Sequence, residues 1–173
     1  GFFMMVEGGK IDYACHDNDA RTVFDETYDF SIAVQVALDY YRKYPEETLI
    51  VVTADHETGG MVLGTGPYEL NLKILQHQRL SLPALTEQIK ILRRENKNKG
   101  SWEQIQKLLE ENLGFWKAVE LTREEEVELY TSYKNSFSGS SVEMEKRLYS
   151  SNEPIAAAAI RLLNTKAKIS WAS

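Results

Sequence analysis

The sequence predicts an α/β fold: part of a parallel sheet, flanked by helices and interrupted by a helical insertion. Three observations predict it. Thr48–Gly60 reads TLIVVTADHETGG, an unbroken β-branched run that suits a strand covered on both faces and ends in Asp55-His56. Phe2–Val6 is a second apolar run, closed by Glu7-Gly8-Gly9, and a helical pattern separates the two. Residues from about 70 to 149 are charged, helical in period and free of strand signals.

In chain order, Phe2–Val6 is the first expected strand. Asp12 and His16 follow four residues apart, so a helix there puts both side chains on one face. Thr27–Tyr44 is expected as a helix, with Ile32, Val36 and Tyr40 in one row and Ala33, Ala37 and Tyr41 in the next. Thr27 or Asp29 is its expected cap and Pro45 its stop. Strand, helix and strand over Phe2–Thr53 imply a right-handed crossover between parallel strands, which sets Glu7 and Asp55 at one carboxyl edge. Ligands of open α/β sheets bind at that edge.

Met61–Leu63 is a further short strand before the turn at Gly64–Pro67. Ser101 with Gln104 and Thr122 with Glu125 are capping boxes, and Gly114 is placed to end the helix between them. Ile105, Leu108 and Leu109 form one apolar stripe; Leu129, Tyr133 and Phe137 form another. Ser136–Ser141 is a polar loop. Asn152 is the expected cap of a last helix with Pro154 in its first turn, and Lys168–Trp171 returns as a strand. The expected organisation is a metal-ligand core over 1–69, a helical insertion over 70–150, and a helix and strand over 151–173 returning to the core.

With 173 residues, 43% hydrophobic and 27% charged, the chain has the composition of one globular domain. A net charge of −6 argues against a nucleic-acid binder. It leaves a phosphate ester open as substrate, because bound cations invert the local field. Cys15 stands alone, so cysteine usage says nothing of compartment. No apolar run approaches a membrane span. The opening inside an apolar run and the ending at Ile169–Ser173 lead us to expect a piece of a longer protein.

Glu7, Asp12, His16, Asp55 and His56 are oxygen and imidazole donors, which suit zinc, with magnesium at a carboxylate-rich position. A calcium loop starting at Asp17 fails on spacing, since Arg21 and Tyr28 occupy its fifth and twelfth places; Asp17–Asp19 is read as polar loop. His77 lies in a polar helical stretch and is read as a surface residue.

Together, VEGGKIDYACH (Val6–His16) and TLIVVTADHETGG resemble the alkaline phosphatase family, and the DHETGG ending is similar to a bacterial branch of it. The stretch the two blocks bound, Val6–Gly60, covers about a third of the chain. The resemblance implies a metal-dependent phosphate monoester hydrolase working through a phosphoserine, with two Zn²⁺ and one Mg²⁺. It implies Glu7 as magnesium ligand, Asp12 and His16 at the first zinc, and Asp55 and His56 at the second. Tyr13 is a candidate to tune the site from behind its ligands, or a packing residue. The resemblance further implies a homodimer in the periplasm or outside the cell. It places the nucleophilic serine, an arginine and a bridging aspartate before Gly1, and a third zinc-ligand histidine after Ser173. Neither Ser31 nor Ser101 has the nucleophile's setting, so the chain alone is expected to be inactive. A phosphodiesterase, sulfatase or phosphoglycerate mutase sharing this metal core is the alternative, and a non-catalytic metal-binding interaction module is the other.

Overall fold

A computed structural model describes residues 1–66 and 69–172. Pro67 of the expected turn and the terminal Ser173 lie outside the described residues. The chain forms two compact units, Gly1–Met61 with Trp171–Ser173, and Val62–Ser170.

The first unit is built on two helices, α1 (Gly9–His16) and α2 (Ala20–Lys43). α2 begins seven residues before the expected Thr27. The reason is Asp19, whose carboxylate accepts from Thr22 N at 3.2 Å and from Thr22 Oγ1 at 2.8 Å. This cap satisfies an otherwise orphan donor of the first turn. Asp19 is fully buried, so the Asp17–Asp19 stretch read as polar loop contains the buried cap of α2. Thr27 and Asp29 lie inside α2. The helix stops at Tyr44, ahead of a 3₁₀ turn over Pro45–Glu47, as Pro45 dictates.

Phe2–Val6 and Leu49–Val52 do not pair into strands among the described residues, and most of their side chains are exposed, Phe3 at 91% and Leu49 at 87%. The physical reason is that a strand exists only through its ladder, and neither run lies against a partner backbone here. The apolar row Ile32, Val36 and Tyr40 on α2 is likewise open to solvent.

The second unit is helical: a 3₁₀ turn at Leu72–His77, then α3 (Leu82–Glu95), α4 (Trp102–Leu113), α5 (Arg123–Ser136), α6 (Ser141–Arg147) and α7 (Pro154–Lys166). Both expected capping boxes form, and Gly114 ends α4 at φ +74°, a conformation glycine adopts without penalty. A third box, Ser140 with Glu143, opens α6. The expected strands at Met61–Leu63 and Lys168–Trp171 form as β1 (Val62–Leu63) and β2 (Ile169–Ser170), paired antiparallel with Val62 opposite Ser170. They are the strands present among the described residues.

α7 is the central element. Ile155, Ala156, Ala159, Ile160 and Leu163 are buried against α3 and α5, and the small alanines allow close helix approach. Leu85, Ile89, Ile105, Leu109, Leu113, Phe115 and Leu129 complete the core. The cap of α7 is Glu153 rather than the expected Asn152, and its carboxylate does not cap. It is engaged elsewhere: Arg93 Nε donates to Glu153 Oε1, and Ser136 Oγ donates to Oε2 at 2.5 Å. Arg93 Nη2 reaches Ser136 O at 2.6 Å, and its guanidinium lies 3.9 Å from the centre of the Phe137 ring. Arg93 and Glu153 are both fully buried. Removing one member of such a pair strands the other charge in a dry core, at about 3–5 kcal/mol. Glu153→Ala is therefore expected to lower unfolding stability by that order in urea denaturation, far more than removal of the exposed Arg161–Glu128 pair by Glu128→Ala.

Candidate metal centre

Both ligand-bearing blocks belong to the first unit. The helix expected for Asp12 and His16 is α1, and its pitch brings Asp12 Oδ2 to 3.7 Å from His16 Nε2. The second block, 55–60, is an irregular turn. Asp55 Oδ1 accepts from His56 N at 3.0 Å, which turns Oδ2 toward His56 Nε2 at 3.3 Å. His56 Nδ1 lies 3.1 Å from the carbonyl oxygen of Glu57. Each ring nitrogen of His56 thus faces an oxygen acceptor, Glu57 O at Nδ1 and Asp55 Oδ2 at Nε2.

Thr58, which the motif contains but sequence reasoning did not single out, joins the blocks. Its Oγ1 donates to Asp12 Oδ1 at 2.6 Å, across 46 residues, and lies 3.3 Å from His56 Nδ1. No pattern in the sequence marks it, because a threonine in a glycine-ended turn ordinarily reads as turn chemistry. Glu57 is used locally, accepting from Gly60 N at 2.6 Å.

The turn is held from behind. Ala172 N donates to the carbonyls of Gly59 and Gly60 at 3.1 Å each. Gly59 and Gly60 sit at φ +79° and +63°, and a Cβ on Gly60 would fall 2.4 Å from that of Ala172. Both features demand glycine.

Of the predicted site residues, the structure sets Asp12 beside His16 and Asp55 beside His56, and the Thr58 hydroxyl touches Asp12 and His56. Glu7 is exposed just before α1, its carboxylate beside Gly9, and among the described residues it makes no hydrogen bond or ion pair with the four. Tyr13 is 70% exposed on α1, which leaves little of the packing alternative. His77 belongs to the 3₁₀ turn of the helical unit, with Gln76 Nε2 3.4 Å from its Nε2. Burial, followed by the nearby carboxylates of Asp12 and Glu57, pushes the Cys15 thiol above its usual range, so it stays protonated.

The donor set fits zinc in kind: neutral imidazole and carboxylate. Tetrahedral zinc with bonds of about 2.0–2.2 Å separates neighbouring donors by roughly 3.3–3.6 Å. The Asp55–His56 pair, at 3.3 Å, falls in that range, and the Asp12–His16 pair, at 3.7 Å, falls just beyond it. Among the described residues no group of three or more His, Cys, Asp or Glu side chains converges as a metal site.

The fold is that of an alkaline phosphatase. Superposition on the crystal structure of a cold-active alkaline phosphatase from the psychrophile Shewanella sp. covers 97% of this chain and 35% of that one, with a TM-score of 0.69 at 23% identity. The alkaline phosphatase family model matches residues 1–171, and the chain belongs to that family. It is 47% identical over 64 residues to alkaline phosphatase 4 of Bacillus subtilis (strain 168), covering 37% of this chain and 14% of that protein. It is 54% identical over 56 residues to the membrane-bound alkaline phosphatase of Bombyx mori, covering 32% and 10%. The chain thus aligns with a small part of these relatives' length. Among the described residues no helix is long and apolar enough to cross a membrane.

The glycine pair yields a direct test. Gly60→Ala is expected to cost about 1–3 kcal/mol of stability from backbone strain and overpacking. Urea unfolding of the variant beside wild type measures the loss, which arises because Ala172 and the turn cannot both keep their places.

Proposed function

We propose that the protein hydrolyses phosphate monoesters through a phosphoserine intermediate, and that this chain supplies metal ligands to that reaction. The observation that supports the reading is the Thr58 hydroxyl, which touches Asp12 of one block and His56 of the other. Asp12 and His16 would hold one Zn²⁺, Asp55 and His56 a second, and Glu7 a Mg²⁺. Bound there, the metals supply Lewis-acid stabilisation of phosphoryl charge and lower the pKa of the attacking hydroxyl.

The chain's own groups do the positioning. Helix α1 fixes Asp12 and His16 one turn apart. Asp55 is oriented by the backbone amide of His56, and the His56 ring has Glu57 O at Nδ1 and Asp55 Oδ2 at Nε2. Family membership supports the phosphatase reading over the diesterase, sulfatase and mutase alternatives.

Serines within the chain have structural employment: Ser31 donates to Tyr28 O, Ser101 caps α4, and Ser136 belongs to the Arg93 network. The family resemblance alone assigns the nucleophile to another part of the full-length protein. A homodimer in the periplasm or outside the cell belongs to the same proposal, and sedimentation of the full-length protein tests the dimer.

Two measurements test the function. The 173-residue chain, given zinc, magnesium and a chromogenic phosphate ester, is expected to show no turnover above background. Turnover like that of an ordinary enzyme would overturn the assignment of the nucleophile. In the full-length protein, His56→Ala is expected to remove several kcal/mol of transition-state stabilisation, a loss of about 10³-fold or more in kcat/KM. Tyr13→Phe should change it by less than tenfold. The reverse ranking would overturn the ligand assignment.

A further inference from the structure

Trp116 adopts φ +63°, a left-handed conformation that a bulky side chain rarely takes. The turn after α4 imposes it. Gly114 O accepts from Ala118 N and Val119 N at 2.9 Å each, and Trp116 N donates to Val119 O at 3.0 Å. The buried side chains of Phe115 and Val119 anchor the turn on both sides, and Trp116 is left half-buried at the surface. Its ring is fixed there by Nε1, which donates to Glu126 Oε1 at 2.7 Å. Backbone strain of this kind persists only where the surroundings over-determine it, and it gathers at ligand sites.

Trp116 lines an open hollow of about 280 Å³ on the helical unit, together with Trp102 and Tyr130. Trp102 stands at 86° to Trp116 and at 80° to Tyr130, so the rings form walls rather than a stack. Gln106, Arg123 and Glu126 supply the polar lining. Three properties narrow the ligand. The volume falls just below the roughly 300–1,000 Å³ of sites for drug-sized molecules, which leaves room for about one ring. Arg123 and Glu126 cancel in charge. An aryl carboxylate would meet Glu126, and a quaternary ammonium would meet Arg123, with Lys134 Nζ already 5.9 Å over the Tyr130 ring. Finally, the guanidinium only donates, the carboxylate only accepts, and the Gln106 amide does both. Hydroxyl groups, which donate and accept, satisfy all three.

We propose that this hollow binds one pyranose unit of a neutral saccharide. A pyranose carries hydroxyls around its edge and C–H groups on its faces. The faces lie against Trp116 and Tyr130, and the edge meets Arg123, Gln106 and Glu126. The site belongs to the helical unit alone and does not depend on the ligand assignment at the metal centre. A tryptophan held in the turn only for packing has no ligand affinity to lose. Glycine takes φ +63° without penalty, so Trp116→Gly removes the ring without straining the turn.

The test titrates the full-length protein with maltotriose, cellotriose and triacetylchitotriose, by calorimetry and tryptophan fluorescence. Benzoate and choline serve as the anionic and cationic comparisons. At least one trisaccharide is expected to bind saturably and to change the fluorescence, with neither benzoate nor choline binding at the same concentrations. Trp116→Gly is expected to weaken that binding about tenfold or more, the scale of one lost aromatic contact. Thermal unfolding confirms that the variant is folded, and Tyr130→Ala serves if Trp116→Gly is not. Absence of binding by all three trisaccharides overturns the proposal. So does wild-type affinity in a folded variant, or a preference for benzoate or choline.

Discussion

The hydrogen bond from Thr58 to Asp12 is the constraint on which the candidate site depends. α1 orders Asp12 with His16 by helical pitch alone, and the turn at 55–60 orders Asp55 with His56 by a backbone amide. Neither device reaches the other. Local geometry makes two pairs; one long-range bond makes them neighbours. The turn that presents Thr58 is held in turn by Ala172, which closes against Gly59 and Gly60 where no side chain fits. The site thus draws on three stretches of sequence: α1, the glycine-ended turn and Trp171–Ala172.

The helical unit rests on a different kind of interaction. Arg93, Glu153 and Ser136 come from α3, the start of α7 and the end of α5, and their polar atoms meet in a core that is otherwise Leu, Ile and Ala. A buried ion pair does little for net stability compared with an apolar replacement, because desolvation offsets the attraction. What it does is discriminate. Any arrangement of these helices that separates Arg93 from Glu153 leaves a bare charge in the core. The network therefore adds to the register that Ile155, Ile160 and Leu163 set on alanine-rich α7. Glu153 N donating to Thr86 Oγ1 at 3.2 Å adds a second tie to α3.

How much was legible in the sequence follows from the range of each interaction. Capping boxes, the Gly114 stop and the helical spacing of Asp12 and His16 involve residues within four positions of one another, and all were readable. β1 and β2 were each readable as short strands, though their antiparallel pairing was not. The start of α2 was misplaced because Asp19 sits in a stretch of acidic and amide residues that looks solvated, and burial cannot be read from one sequence. Glu153 was passed over as a cap for the same reason: its partner lies 60 residues away. Thr58 is the clearest case. Its neighbours Asp55, His56, Gly59 and Gly60 carry recognisable chemistry, whereas its own role exists only once Asp12 is placed beside it.

The runs Phe2–Val6 and Leu49–Val52 teach the complementary point. An apolar, β-branched run records the environment for which side chains are suited, covered on both faces. Ladder formation is a separate condition, set by a partner backbone at the right distance. Here the first condition is written in the sequence and the second is unmet among the described residues. The same division applies to the donors. Asp12 with His16, and Asp55 with His56, each set a carboxylate beside an imidazole. The residue types and their pairing are local and written in the sequence, whereas what brings one pair near the other is a hydroxyl 46 residues away from Asp12.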